Sequence, residues 1–416
     1  MRPGPMQAPS PAAVAPLTEN PPLDLAALLA DRGVSILVCT GAGGVGKTTT
    51  AAALGVHAAQ TGRQVCVMTI DPARRLAQSL GLTELDNEPR TVRRAAQLAD
   101  DASDGAGTGR LDAMMLDMKR TFDEFVLLHA PAERARTILD NPFYQALSTS
   151  FAGTQEYMAM EKLGQLHATT QADGTWDLLI VDTPPARSAL DFLDAPRRLG
   201  SFLDSRLMRL LTTPAKLGGR AATRVLAAGV GAFGGALTRV LGSSLLADIA
   251  VFVTALDSVF GGFQQRAEAT FSLLQQPSTR FLVIAAPERD PLREAGYFIE
   301  RLQRDGMPLA GLVLNRVVRP EPAELSAEVS IAGAEHLEQS PAGPADGVDR
   351  LVGGLLRGHA DLMRTRARQA AVTTLLTGAH PEVPVAEVPA LAGDVHDLPG
   401  LRAVARALTA TGGPSA

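Results

Sequence analysis

Cysteine and lysine are scarce in this sequence, and the scarcity of cysteine excludes several kinds of site. The chain of 416 residues contains two cysteines, Cys39 and Cys66, each within its own apolar stretch. They cannot form a disulfide framework, so we expect two buried thiols in a reducing compartment. The seven histidines are scattered, and no His/Cys cluster has the spacing of a zinc or iron–sulfur site. Lysine occurs four times against 35 arginines, so a lysine inside a motif is informative here.

Long apolar runs and an excess of basic charge are also missing. The best candidate for a membrane span, residues 225–238, has only 14 residues and lies between two arginines. The N terminus lacks the basic-then-apolar pattern of a secretory signal. The net charge is −5, which gives no positive field for nucleic acid. We therefore expect a cytoplasmic protein without a nucleic-acid partner, long enough for one large domain or two ordinary ones.

The sequence does contain a glycine-rich loop between a predicted strand, residues 34–40, and a predicted helix, residues 48–60. Residues 41–48 read Gly-Ala-Gly-Gly-Val-Gly-Lys-Thr, which matches G-x-x-x-x-G-K-[ST]. Glycines at this spacing let backbone N–H groups surround phosphate oxygens at the positive end of the helix. Lys47 can reach the β- and γ-phosphates, and the Thr48 hydroxyl can bind Mg²⁺. We therefore predict a site for a nucleotide triphosphate, formed by Gly41, Gly43, Gly44, Val45, Gly46, Lys47, Thr48 and Thr49.

Polar side chains follow three further predicted strands, at residues 64–70, 176–181 and 310–315. In a doubly wound sheet the ligand lies beyond the carboxyl ends of the strands, so Asp71, Asp182 and Asn315 should converge on the loop. We predict that Asp182 acts near Mg²⁺, through water, and that Asp71 does so too and orients or deprotonates the attacking water. Asn315 could read the edge of adenine. The alternative for each residue is a cap or a turn.

The order of predicted elements indicates an α/β protein with a mostly parallel sheet flanked by helices. Further strands are predicted at 280–285 and 383–388. Predicted helices cover residues 73–80, 111–128, 131–139, 151–166, 291–303, 348–376 (with a break near 353–354) and 401–408. The predicted domains are a disordered Pro/Ala-rich tail at 1–22, one domain at 23–411 and a disordered end at 412–416. Within that domain we predict a helical insert at about 111–170 and 190–275 and a loose segment at about 319–347.

These motifs resemble those of the ArsA-like ATPases, which include arsenite-pump ATPases and the guided-entry ATPases that carry tail-anchored membrane proteins. Residues 41–49 resemble their deviant Walker A loop, 69–73 (Thr-Ile-Asp-Pro-Ala) their switch I and 181–185 (Val-Asp-Thr-Pro-Pro) their switch II. Residues 313–316 resemble their adenine-contacting strand end, and 389–391 fall where their second adenine-side loop would lie. The resemblance covers about residues 30–411, and actinobacterial chains called anion-transporting ATPases are the most similar in look. It implies a P-loop NTPase fold with a helical subdomain between the switch regions. It also implies ATP and Mg²⁺ as cofactors and a dimer with nucleotides at its interface.

Three departures from the family pattern affect what the resemblance implies. The family's signature lysine, which reaches the phosphates of the partner subunit, is Ala42 here. The Gly-His usual in switch II is replaced by residues 186–188, Ala-Arg-Ser. The arsenite-binding cysteines and the zinc Cys-x-x-Cys are missing. We therefore expect a heterodimer with a paralogue that keeps the lysine, or a homodimer in which Arg187 or the Arg74 and Arg75 pair supplies the charge.

The expected function is Mg²⁺-dependent ATP hydrolysis that drives a dimeric switch and handles a client protein or a membrane partner. Six of the 11 methionines fall between residues 111 and 210, and methionine-rich helices suit promiscuous apolar binding, although core packing explains them equally well. One alternative is the energy subunit of an oxyanion efflux system, but arsenite requires soft thiolates. The other is a partitioning-type ATPase held at the membrane surface by residues 401–408, unless that helix packs on the sheet.

Overall fold

The computed structural model describes residues 16–71, 75–82, 84–94, 109–141, 144–145, 154–184, 263–339, 347–391, 393–395 and 397–410. These residues contain one eight-stranded sheet with the strand order β3-β4-β2-β5-β1-β6-β7-β8. All neighbouring strands are parallel except β3 and β4, so the predicted α/β fold is confirmed. The strands are β1 (Ile36–Gly41), β2 (Gln64–Thr69), β3 (Arg90–Arg94), β4 (Arg110–Met115), β5 (Leu178–Asp182), β6 (Thr279–Ala285), β7 (Leu309–Val317) and β8 (Val385–Pro389).

Helices cover both faces of the sheet, which is why the central strands are apolar throughout. Strands β1 and β5 are buried at every position. The helices are α1 (Leu25–Ala30), α2 (Lys47–Gln60), α3 (Arg75–Ser79), α4 (Met118–His129), α5 (Ala132–Leu139), α6 (Thr154–Asp173), α7 (Phe263–Leu274), α8 (Arg289–Arg304), α9 (Ala327–Gln339), α10 (Gly347–Ala379) and α11 (Leu398–Thr409). Helices α1, α2, α3 and α11 pack on one face, and α4 to α8 contribute to the core on the other.

The helix predicted at 111–128 is wrong in its first part, because residues 110–115 form strand β4. The apolar spacing there fits a helix, but pairing with β2 and β3 fixes these residues as a strand. The buried carboxylate of Asp112 accepts a hydrogen bond from Trp176 Nε1 at 2.8 Å. This bond joins β4 to the segment that leads into β5. Helix α4 starts only at Met118, where Asp117 caps it by accepting from Arg120 N. Strand β3 was not predicted at all. The helical insert predicted from residue 111 begins only after β4, with α4.

The segment predicted to be loose at 319–347 contains helix α9, and α10 is continuous through Gly353. Both differences come from packing between these two helices. Ser330 and Ala334 are buried against α10, where small side chains let the backbones lie close, and Ser330 Oγ lies 2.9 Å from His359 Nδ1. Burial of this kind offsets the cost of about 1 kcal/mol that a glycine brings to a helix interior. Neither effect can be seen in the local sequence.

Within the tail predicted to be disordered at 1–22, residues 16–22 are ordered, so the prediction is wrong for this part. Leu17 is buried, and its N–H donates to the Glu387 carboxylate. Asn20 Nδ2 donates to the carbonyl oxygens of His380 and Val383, at 2.8 and 3.0 Å. Residues 21–23 then exchange two backbone hydrogen bonds with Val385 in edge strand β8. We call residues 17–23 the N-terminal strap.

Some predicted features lie outside the described residues. They are the tail at 1–15, the insert at 190–262, Arg74, Arg187 and the end at 412–416. Of the second part of the insert, residues 263–274 are described and are helical. None of the helices in the described ranges combines the length and the apolar character needed to cross a membrane.

Candidate functional site

Strands β1, β2, β5 and β7 bring their carboxyl ends to one edge of the sheet, where a cleft of about 910 Å³ opens. Most of the residues predicted from the sequence line this cleft. Gly41, Val45 and Asp182 are buried behind it, and Gly43 lies exposed beside it. Residues 389–391, which the resemblance predicts as a second adenine-side loop, also line the cleft. The predicted site residues that line the cleft are Gly44, Gly46, Lys47, Thr48, Thr49, Asp71 and Asn315.

Two glycines of the loop are required by close contacts. Gly41 has φ 151°, and a side-chain carbon there would overlap the carbonyl oxygen of Ile284 in β6. Gly46 has φ 94°, and a side-chain carbon there would overlap the amide nitrogen of Asn315. Gly46 is also the N-cap of α2 and, within the described residues, no side chain caps this end. The first N–H groups of α2 can therefore donate to an anion in the cleft.

Lys47 is buried at the end of the loop, as the first residue of α2. Its Nζ donates to the carbonyl oxygen of Ala42 at 2.8 Å. Burial lowers the pKa of this ammonium, while the negative charges of Asp182 and Asp71 work in the opposite direction. A buried cation of this kind, beside the open N terminus of a helix, favours the binding of phosphate groups.

Asp182 lies at the end of β5 with its carboxylate fully buried. Its Oδ2 accepts hydrogen bonds from Thr48 Oγ1 at 2.7 Å and from Thr69 Oγ1 at 2.8 Å. Its Oδ1 has no hydrogen-bond partner among the described residues. Burial raises the pKa of Asp182 to about 6, although the two hydroxyl groups and Lys47 oppose the rise. The carboxylate therefore has one oxygen that could still take up a proton or accept a hydrogen bond from a water.

The donors at this position fit Mg²⁺, which prefers oxygen ligands and usually keeps several waters. Thr48 and Asp182 offer a hydroxyl and a carboxylate with one orphaned oxygen, and Asp71 lies in the same cleft. In the described part of the chain, no three His, Cys, Asp or Glu side chains are grouped to hold a metal by themselves. The side chains present could therefore hold the ion only together with phosphate oxygens and water.

Thr69 belongs to this site, although it was not among the predicted site residues. It lies opposite Asp182 in the pairing of β2 with β5. Its hydroxyl donates to Asp182 and accepts from the N–H of Asp71 at 3.2 Å, so it joins the two carboxylates. The available signal was a threonine within an otherwise apolar strand, two residues before an acid. That signal has no meaning until the neighbouring strand is known.

Asn315 is turned toward the glycine-rich loop. Its Nδ2 donates to the carbonyl oxygen of Val45 at 2.8 Å, and its Oδ1 accepts from Arg316 N at 3.0 Å. Both ends of the amide therefore have hydrogen-bond partners within this chain. The sequence predicted an adenine contact for Asn315 and neither of these two bonds. Arg75, one of the predicted substitutes for the missing lysine, lines the same cleft.

Both cysteines are free and buried, as predicted. Burial is the main reason that the pKa of each thiol is raised well above its ordinary value. Neutral, inaccessible thiols are poor ligands for soft ions such as arsenite.

Comparison with known proteins gives a consistent result. A family model described as anion-transporting ATPase matches residues 34–334. ATPase GET3 of Malassezia globosa is 22% identical over 301 residues, which cover 72% of this chain and 78% of that protein. ATPase GET3 of Podospora anserina is 25% identical over 300 residues, 72% of this chain and 77% of that protein. A putative arsenical pump-driving ATPase of Aquifex aeolicus is 23% identical over 292 residues, 68% and 80% of the two chains.

Proposed function

Because the chain belongs to the anion-transporting ATPase (ArsA) family and is an ATPase, we propose that it hydrolyses Mg²⁺-bound ATP in the cleft below β1, β2 and β5. The observation that carries this proposal is the bonding of Asp182 to Thr48 and Thr69 directly behind the loop that holds Lys47. A buried acid tied to the loop threonine supports a metal position next to the phosphates. The phosphate-binding residues are Gly41, Gly43, Gly44, Val45, Gly46, Lys47, Thr48 and Thr49, and Asn315 lies on the adenine side.

Each polar side chain has a distinct role in this proposal. When bound, Mg²⁺ would supply charge neutralisation at the β- and γ-phosphates, held by Thr48 directly and by Asp182 and Asp71 through water. Lys47 adds a fixed positive charge from a buried position, which strengthens its effect on the transferred phosphoryl group. Asp71 orients the attacking water from the end of β2. Thr69 keeps Asp71 and Asp182 in register.

The first test removes the charge of Lys47. We expect Lys47→Ala to abolish ATP hydrolysis, since no other described side chain replaces an ammonium inside the loop. EDTA should abolish the activity of the wild-type protein and Mg²⁺ should restore it. The matched control is Lys119→Ala, which removes an exposed lysine paired with Asp123 on α4. Wild-type turnover by Lys47→Ala would contradict the proposed site.

The second test separates binding from chemistry at Asp71. We expect Asp71→Asn to bind ATP nearly as well as the wild type but to lose turnover by about 10² or more, as for a group that positions water. Asp290→Asn serves as the control because Asp290 is exposed on α8. Normal turnover by Asp71→Asn would mean that Asp71 only caps a helix and has no role in hydrolysis.

We further propose that hydrolysis drives a dimeric switch in the cytoplasm that handles a client protein or a membrane partner. Leu127 and Leu128 of the helical insert are 60% and 67% exposed, which supports an apolar partner at that surface. The partitioning-type alternative has no such support, because the apolar face of α11 packs against α2. An oxyanion efflux role would predict that arsenite or a related oxyanion stimulates the ATPase. Turnover measured with and without these ions tests that alternative.

A further inference from the structure

Strand β7 contains a bulge at the point where it reaches the nucleotide cleft. Leu314 pairs with Glu387 and Val317 pairs with Pro389, so Asn315 and Arg316 together oppose a single residue of β8. Arg316 has φ 62°, which lies in the left-handed region that residues other than glycine rarely adopt. Such a residue costs roughly 1–2 kcal/mol and persists where its surroundings impose it. The bulge therefore calls for a structural cause.

The bulge has a direct consequence for the glycine-rich loop. It turns Asn315 so that the amide donates to Val45 at 2.8 Å, and the N–H of Arg316 fixes the other end of that amide at 3.0 Å. The nitrogen of the same amide lies against Gly46, where a side-chain carbon would collide with it. The last turn of the loop before Lys47 is thus held by the end of β7. Bulges commonly re-aim side chains in this way beside active sites.

The bulge itself is held from helix α10, about fifty residues later in the chain. Gln369 Nε2 donates to the carbonyl oxygen of Arg316 at 3.2 Å, and Gln369 Oε1 accepts from Val318 N at 2.9 Å. Arg366, one turn earlier on α10, donates to the carbonyl oxygen of Val318 at 2.9 Å. A single amide therefore bonds the backbone on both sides of Val317. These bonds supply the external constraint that a left-handed arginine requires.

We propose that Gln369 is a positioning residue for ATP binding, which rests on the proposed nucleotide site. It keeps Arg316 left-handed, Arg316 keeps Asn315 against Val45, and the loop is thereby preformed around the phosphates. None of these residues lies at the reacting oxygen atoms in the proposed mechanism. Loss of Gln369 should therefore weaken nucleotide binding and leave the chemical step almost unchanged. A preformed loop lowers the ordering cost of binding and has no separate effect on the barrier.

The first experiment compares Gln369→Ala with Gln303→Ala in the full chain. Gln303 is exposed on α8, and among the described residues its amide reaches only Glu382, so this control makes the same chemical change elsewhere. We expect Gln369→Ala to raise KM for ATP, and Kd for a fluorescent ATP analogue, by about fivefold with kcat within twofold of the wild type. Gln303→Ala should change none of these values. Unchanged KM and Kd with a lowered melting temperature would overturn the proposal, as would a loss confined to kcat.

The second experiment asks which half of the amide matters and whether strain is the reason. Gln369→Glu keeps the acceptor for Val318 N–H and places a carboxylate oxygen against the Arg316 carbonyl, so it should weaken binding at least as much as Gln369→Ala. Arg316→Gly removes the penalty of the left-handed conformation. In that background, Gln369→Ala should change Kd by less than twofold. A full, additive effect would show that Gln369 does not act through Arg316 and would overturn the proposal.

A further arm keeps this inference separate from the proposed site. Lys47→Ala is measured in the same binding assay. If Lys47→Ala binds the analogue as the wild type does, the nucleotide site itself is wrong. If Lys47→Ala loses binding while Gln369→Ala binds like the wild type, the site stands and the role of Gln369 is overturned.

Discussion

The carboxylate of Asp182 is fully buried, and this has a consequence for stability that can be measured without nucleotide. Burial raises its pKa to about 6 from an ordinary 3.8. Between these two values the folded protein keeps a proton that the unfolded chain has already released. The Asp182 carboxyl group therefore makes its full contribution to the free energy of unfolding below about pH 4. That contribution is lost as the pH rises through 6. The full difference corresponds to about 3 kcal/mol.

We therefore expect Asp182→Asn to stabilise the protein in EDTA at neutral pH. Its advantage over the wild type should be small near pH 4 and grow to about 3 kcal/mol at pH 7. Urea denaturation of both proteins at several pH values measures this difference, with exposed Asp290→Asn as the control. The same variant should lose Mg²⁺-dependent hydrolysis. If the wild-type protein has the larger free energy of unfolding at pH 7, the buried carboxylate is stabilised by contacts beyond Thr48 and Thr69.

Residue by residue, the sequence permitted prediction of the loop and the acids but not of the side chains that support them. The glycine spacing, Lys47 and Asp182 lie in short contiguous patterns whose chemistry is local. Thr69 acquires its role only from its place opposite Asp182 across two strands. Gln369 acquires its role only because α10 passes the bulge in β7. Contacts between distant parts of a chain leave no local pattern.

Among the elements, those with strong local signals were predicted well and those decided by pairing were not. Strands β1, β2, β5, β6 and β7 were predicted within a few residues, because buried parallel strands are continuous apolar runs, and edge strand β8 was predicted equally closely. Strand β4 carries apolar residues at helical spacing, and its neighbours β2 and β3 decided its structure. Helix α9 has a weakly amphipathic sequence and depends on α10. Tertiary packing overrode local preference in both cases.

The N-terminal strap leads to a prediction about truncation. We expect deletion of residues 1–15 to leave the melting temperature unchanged and deletion of residues 1–22 to lower it by at least about 3 °C. The longer deletion removes buried Leu17, the two hydrogen bonds of Asn20 and the pairing with Val385. It also uncovers the edge of β8, which favours association. Thermal unfolding and light scattering of both truncated proteins measure these effects.

A point variant separates the strap's contacts from the length of the tail. Asn20→Ala removes the bonds to the carbonyl oxygens of His380 and Val383 and should lower the melting temperature part of the way. Thr374→Ala is the control, because within the described part of the chain this exposed hydroxyl bonds only to the Ala370 carbonyl oxygen of α10. Identical melting temperatures for the two truncated proteins would mean that the strap adds nothing to stability.

For the whole molecule, Ala42 makes the partner the central question. The resemblance implies a lysine at that position that serves the phosphates of a partner subunit, a role that alanine cannot fill. We expect this chain to be a slow ATPase alone and a faster one when co-expressed with a paralogue that has the lysine, whose charge would stabilise the transition state held here. Arg75 lines the cleft within this chain and is the described candidate for a substitute in a homodimer.

Native mass measurement together with turnover of each species distinguishes these arrangements. A mixed dimer with raised turnover supports the heterodimer. Arg75→Ala should then have little effect on the mixed dimer, and Arg293→Ala, an exposed arginine on α8, serves as the control. A homodimer that hydrolyses ATP equally fast with or without a paralogue, and that loses this activity in Arg75→Ala, would replace the heterodimer with the homodimer.

The strand order also determines when the site can exist during synthesis. Strand β1 carries the glycine-rich loop and lies between β5 and β6. It ends at Gly41, and β6 begins at Thr279, 238 residues later. At ribosomal rates of 5–20 residues per second, β1 waits roughly 12–48 s for its second neighbour. During that interval an apolar strand has an open edge, and the Ile284 carbonyl that packs against Gly41 has not been made. Because β6 completes the packing around Gly41, we expect ATP to stabilise only chains that extend past residue 285, and shorter nascent chains to associate through the open edge of β1.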